Sequence, residues 1–161
     1  QPEEIVAYLK SVTETFRSFP DKPVISLLGI AFKGQPPTDD LRGTMAIPIF
    51  DALKRHFPQA IFRGFDAVVS KEQIKSLGLD VCNSLKEAMS GAHLALILNN
   101  HPIFLNMDIE VLASKLARPG LIYDFWNNFT GSDLHIPPGT GYMALGSHGK
   151  AVFPDGDRLN V

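Results

Sequence analysis

Short apolar runs alternate with amphipathic segments along this chain, and that order limits its fold more than any single motif does. Residues 24–30, 60–65, 79–82, 93–98 and 121–125 are brief runs of the kind that form buried strands. Between and before them, residues 3–17, 44–57, 71–77, 84–89 and 108–116 carry helical spacing or helix start signals. In residues 3–17 the apolar positions are Ile5, Val6, Leu9, Val12 and Phe16, and Pro20 and Pro23 end the helix. Ser84 with Glu87 three positions on has the form of a capping box. Residues 93–98 are apolar on both faces after the first residue, as in a parallel strand covered by helices on two sides. The order predicts an α/β protein: a doubly wound, Rossmann-like, mostly parallel sheet of about five to six strands with helices on both faces. Residues 142–145 would add an edge strand, and the chain from Ser147 onward reads as a poorly packed tail.

With 161 residues, 45% of them hydrophobic, one core is enough to fold the chain alone. The formal net charge of −2 and the scattered Lys and Arg argue against a nucleic-acid partner. Apolar stretches of about seven residues fall far short of the roughly 20 needed to cross a bilayer, so no membrane partner is expected. The opening Gln-Pro-Glu-Glu is no signal peptide, and a soluble, cytoplasmic protein is expected. The single cysteine, Cys82, can form neither an internal disulfide nor a metal cluster, and it reads as a small buried hydrophobe. His56, His93, His135 and His148 lie on separate elements without metal-binding spacing.

The loop after the first strand is the functional suspect. It is about nine residues long where such loops usually need about two to six, and it holds Lys33 and Arg42 on either side of Asp39 and Asp40. Ligands of open α/β sheets collect at the carboxyl ends of strands, where a lysine can meet phosphate. A dinucleotide fingerprint would place G-x-G-x-x-G here, yet this turn has only Gly29 and Gly34. It is no Walker loop either, and no G-x-S-x-G or H-E-x-x-H occurs.

Gly29-Ile30-Ala31-Phe32-Lys33 followed by Thr38-Asp39-Asp40-Leu41-Arg42 resembles the G-[LF]-A-F-K…T-D-D-x-R motif of the C-terminal, UDP-binding domain of the UDP-glucose/GDP-mannose dehydrogenase family. Phe65-Asp66-Ala67-Val68-Val69 is similar to that family's Y-D-P-x-V, residues 92–104 to its strand-plus-loop segment, and Leu121-Ile122-Tyr123-Asp124 to its late strand before D-x-R. The resemblance covers about residues 22–146 in order. Asn100-His101-Pro102 is more similar to members acting on UDP-N-acetylhexosamines than to those acting on UDP-glucose.

The resemblance implies a two-part enzyme that oxidises a sugar C6 alcohol to a carboxylate in two hydride transfers. NAD would be bound mainly by an N-terminal domain, absent from this sequence, that also carries the catalytic cysteine; Cys82 does not match that nucleophile. Residues 1–19 would be the end of the helix linking the halves and supporting a homodimer, 20–147 the UDP-binding domain and 148–161 a tail. The fragment alone is expected to be inactive. A stand-alone or diverged nucleotide-binding or scaffolding module is the alternative.

The resemblance makes Phe32 and Lys33 contacts to the UDP-sugar, and Arg42 the residue that approaches the NAD cofactor. The plain alternatives are packing for Phe32, a solvated or Asp-paired lysine, and an ion pair of Arg42 with Asp40. Thr44 is a candidate cap of the helix it opens, and Asp39 or Asp40 is expected to cap that helix and hold the two cations. Asp124 either touches ligand or caps a turn. Where the family has arginine two positions after that aspartate, this chain has Trp126, which either stacks on uracil or packs against its neighbours. His101 is a candidate donor to a sugar or phosphate oxygen.

Overall fold

The computed structural model describes residues 1–34, 36–126, 128–129 and 134–145, together with the backbone of residues 151–152. Helix α1 (Pro2–Glu14) is followed by β1 (Val24–Leu28), α2 (Ala46–His56), β2 (Ile61–Phe65), α3 (Lys71–Ser76), β3 (Asp80–Val81) and α4 (Leu85–Met89). Then come β4 (Leu94–Ile97), α5 (Pro102–Leu105), α6 (Ile109–Ala113), β5 (Gly120–Asp124), β6 (Thr140–Ala144) and β7 (Ala151–Val152). The sheet has the order β3-β2-β1-β4-β5-β6-β7, parallel throughout except for the antiparallel β6–β7 pair. The doubly wound fold expected from the sequence is therefore present.

Alternating strand residues point to opposite faces, and each face has its own core. Ile25, Leu27, Leu94, Leu96, Leu121 and Tyr123 meet Val6 and Leu9 of α1, Ile49 and Leu53 of α2 and Ile74 of α3. Leu28, Ala95, Ile97, Ile122 and Tyr142 meet Met89 of α4, Phe104 of α5 and Ala113 of α6. The buried hydroxyl of Ser26 in β1 would be costly unpaired. It donates to the carbonyl of Ala88 in α4 at 2.6 Å. Glu3 of α1 also bonds Arg55 and His56 of α2, fastening the first helix to the domain from its polar side.

Several boundaries move. Thr44 lies two residues ahead of α2, whose first turn tolerates Pro48 as expected. Ser84 does cap α4, accepting from the Glu87 amide at 3.1 Å. Residues 102–105, read from the sequence as loop, form α5, with His101 as its cap. The expected edge strand lies inside the sheet, with Tyr142 wholly buried, because Ala151 and Val152 pair outside it with Met143 and Tyr142. That strand corrects the expectation of a loose tail at 151–152, while His148 and the other residues of 148–161 lie outside the described residues. The hydrophobic alternation of a strand of two residues is too short to be seen in a sequence.

Candidate functional site at the carboxyl edge of the sheet

The strand order reverses between β1 and β4, and the carboxyl end of that seam is where such sheets place ligands. Here the loops after β1, β2, β4 and β5 come together. Gly29 leaves β1 with φ of +91°, and a Cβ at that position would lie 2.7 Å from the side chain of buried Asn99, which follows β4. The backbone of Gly34 lies against the backbone at His101, and its amide donates to Asn100 Oδ1 at 3.0 Å. The loop that carries Lys33 is thus packed on the loop that carries His101.

Asp66, directly after β2, organises the same loop from the other side. Its Oδ2 accepts from the amides of Ile30 and Ala31 at 2.6 and 2.9 Å, and its Oδ1 from those of Val68 and Val69 at 2.7 and 2.8 Å. Beyond this brace, the Phe32 amide donates to the Asp40 carbonyl, and Phe32 as a residue is 45% exposed. Lys33 is half-buried, with Nζ 5.8 Å from the centre of that ring.

The aspartates do not cap α2, contrary to expectation. Thr44 does that work, accepting from the Ala46 amide at 3.1 Å while donating to the Ile30 carbonyl at 2.6 Å. Asp40 instead takes the Arg42 guanidinium, whose side chain is 92% exposed, at 2.9 Å. The Arg42 hydrogen bonds hold the Asp40 carboxyl well below its ordinary value, at about 2. A helix start already supplied with a hydroxyl acceptor leaves the carboxylate for the stronger, charge-assisted partner.

Asp124 closes β5 and is wholly buried. It accepts from the amides of Trp126 and Asn128, the Asn128 side chain and the Tyr142 hydroxyl, at 2.5 to 2.9 Å. These donors use the carboxylate fully, so it caps the turn and offers no surface to a ligand. Burial, and next the charge of Asp124, pushes the Tyr142 hydroxyl far above its ordinary pKa and keeps it a neutral donor. Trp126, held by this network, donates its indole N–H to the Leu98 carbonyl after β4 at 2.9 Å while 44% of the residue stays exposed. Of its two expected uses, packing accounts for the ring's edge and leaves surface for a stacking partner. His101 accepts the Ile103 amide on Nδ1 at 3.0 Å, which puts the imidazole proton of the neutral ring on Nε2.

The predicted residues therefore gather at three neighbouring strand ends, with Phe32, Lys33 and Arg42 after β1, His101 after β4, and Asp124 at the end of β5 with Trp126 in the turn beyond it. Their chemistry is that of binding: a cation, two partly open rings, amides and an imidazole. The turn after β1 does not fit a dinucleotide pyrophosphate. Its consecutive Ile30 and Ala31 amides, the kind of concavity that takes an anion, are already filled by Asp66. Two surface clefts lie elsewhere and contain none of these residues. One, of about 350 Å³, is bordered by Lys10, Phe19 and Phe57, and the other, of about 590 Å³, by Arg63, Cys82 and Lys86. Cys82 is buried, and burial raises its thiol pKa, as suits an inert core cysteine.

Sequence reasoning passed over Asp66, Asn99 and Tyr142. Asp66 had a signal, since an acidic residue directly after a strand faces the same crevice; the other two depend on contacts between distant segments.

A mostly parallel, doubly wound sheet with a cation and partly open rings gathered at its switch point is an α/β domain of the class that takes ligands at that edge. The model of the UDP-glucose/GDP-mannose dehydrogenase family, UDP binding domain, matches residues 26–131, and the chain belongs to that family. Among solved structures it is similar to the UDP-N-acetyl-mannosamine dehydrogenase Cap5O from S. aureus, at 22% identity and a TM-score of 0.65 over 89% of this chain and 29% of that one. It is also similar to a UDP-D-ManNAc dehydrogenase from Pyrococcus horikoshii, at 20% identity and a TM-score of 0.64 over 89% of this chain and 30% of that one. A UDP-glucose dehydrogenase from Pyrobaculum islandicum follows at 16% identity and a TM-score of 0.59, over 84% of this chain and 29% of that one. At these identities the likeness establishes the fold, and the chain spans about three tenths of each relative's length. No curated protein sequence matches it. Among the described residues, no helix is long and apolar enough to cross a membrane.

Proposed function

We propose that this domain grips the nucleotide end of a UDP-sugar and presents the sugar C6 alcohol for NAD-dependent oxidation to the carboxylate. NAD and the catalytic cysteine would come from an N-terminal domain of the same protein, in a cytoplasmic homodimer. The observation that carries this reading is the pair of partly open groups on either side of the end of β4: the braced Phe32–Lys33 loop after β1, and Trp126 after β5, whose indole bonds the Leu98 carbonyl. Parallel strands lie about 4.8 Å apart, so the ends of β1 and β5 stand roughly 10 Å from one another, a span that a nucleotide can bridge.

In this arrangement Lys33 meets the diphosphate, Phe32 and Trp126 flank the nucleoside, and the Nε2–H of His101 donates to a sugar or phosphate oxygen. Arg42, exposed at the rim, reaches toward the cofactor held by the other domain after exchanging its contact with Asp40. Binding and orientation are the domain's share of catalysis, because a correctly held C6 lowers the entropic part of the barrier. Asn100-His101-Pro102 and the two UDP-ManNAc dehydrogenases among the structural relatives support a UDP-N-acetylhexosamine as the sugar nucleotide.

Trp126 favours one second reading, a diverged module that binds nucleotide without serving a dehydrogenase, since an indole cannot neutralise phosphate. Calorimetric titration with UDP, UDP-N-acetylhexosamines, UDP-glucose and GDP decides whether the domain binds. Uridine nucleotides should bind and GDP should not; equal or absent binding of all four would reject the proposal. Hydride transfer by the longer protein, measured as NADH formation, separates enzyme from module.

A further inference from the structure

We propose that Asp66 is a positioning residue for the ligand. Its carboxylate fills the protein's own anion nest and so moves the diphosphate from the backbone to the Lys33 side chain. This rests on the nucleotide-binding reading above. Two successive amides, Ile30 and Ala31, converge on one carboxylate oxygen, which is the geometry by which backbone loops cradle phosphate in related folds. With the nest occupied, the next cation along the loop is Lys33, two residues beyond Ala31. The second oxygen bonds the Val68 and Val69 amides, so the loop after β1 is tied to the loop after β2.

On this proposal the brace also sets the course of the chain that carries Lys33. The chain turns between the Asp66 contact and the contacts of the Phe32 amide with Asp40 and the Gly34 amide with Asn100. Lys33 lies between those last two anchors, neither of which involves Asp66. If Asp66 sets the loop, its loss will loosen both. If it serves only its own turn, both will stay closed.

Three measurements on the whole chain test this. Asp66→Asn, which places an amide where two donors point, should weaken UDP binding about tenfold, with Asp66→Ser as the second variant where Asn does not fold. Combined with Lys33→Ala, Asp66→Asn should weaken binding no further than Lys33→Ala alone, because both changes act on one contact. In hydrogen exchange, Asp66→Asn should speed exchange at the Phe32 and Gly34 amides while residues 25–28 keep their protection. Unchanged UDP affinity, additive losses in the double variant, or unchanged exchange at Phe32 and Gly34 would each overturn the inference. Failure of the unaltered chain to bind UDP would instead reject the nucleotide-binding reading, and exchange at Phe32 and Gly34 would still decide whether Asp66 sets the loop.

Discussion

Asp66 and Asp124 are the same device used in two settings. Both stand at the carboxyl ends of parallel strands, Asp66 just after β2 and Asp124 as the last residue of β5, and each accepts four hydrogen bonds. Asp66 is half-buried and all its donors are backbone amides from two loops. Asp124 is wholly buried, and its donors include the phenol of Tyr142 from the neighbouring strand. Water can replace a lost partner at the first and cannot at the second. The difference implies that Asp66 governs the shape of a surface loop, whereas Asp124 governs the integrity of the sheet's end. Both charges are directed inward and taken up by donors, so neither carboxylate stands free against the anion proposed to bind at Lys33.

The largest expected effect tests the buried member of the pair. Asp124→Ala leaves Tyr142 and nearby amides without an acceptor in the core and should cost about 3 kcal/mol in a urea titration. Asp66→Ala, at a half-buried position that water can reach, should cost about 1 kcal/mol. Equal losses would erase the distinction. On the binding side, Lys33→Ala should weaken UDP about ten- to a hundredfold by calorimetry with the melting temperature unchanged. A smaller loss, near fivefold or about 1 kcal/mol, is expected for Trp126→Ala, which removes ring contact without removing charge. If Trp126→Ala lowers stability and leaves binding alone, its ring belongs to Asp124's structural role only.

The smallest effect lies at the opposite edge and serves as a control on both. His93 accepts the Val24 amide on Nδ1 at 3.0 Å, and burial, with a lesser contribution from Arg63, holds its pKa below 6.5. The folded state thus disfavours the proton, so stability is full above about pH 6.5 and declines as pH falls toward the lowered folded value. His93→Asn, able to accept the same amide without titrating, should flatten that decline in urea midpoints measured from pH 7.5 to 5. A profile unchanged by the substitution would remove His93 as its cause.

Much of the architecture was legible because its signal is local. Central strands such as residues 93–98 are apolar on both faces, and Ser84 marks a helix start by its own side chain. The family motif likewise singled out Phe32, Lys33 and His101, and Trp126 as a departure from it; that they stand at adjoining strand ends comes from the strand order. What escaped was non-local or very short. No periodicity announces Ala151–Val152, and nothing near Asp124 in the sequence reveals that Tyr142 shares its oxygens. The sequence offered both Thr44 and an aspartate for the start of α2, and only the folded loop shows that the Thr44 hydroxyl meets the Ala46 amide while Asp40 pairs with Arg42.

Gly34 carries one last consequence. A single added carbon there would sit 1.8 Å from the His101 nitrogen, well inside any permissible contact, so the two segments are welded main chain to main chain. Any side chain at Gly34 would have to push the two segments apart, so the spacing between the strand-end loops that carry Lys33 and His101 depends on the smallest residue in the chain.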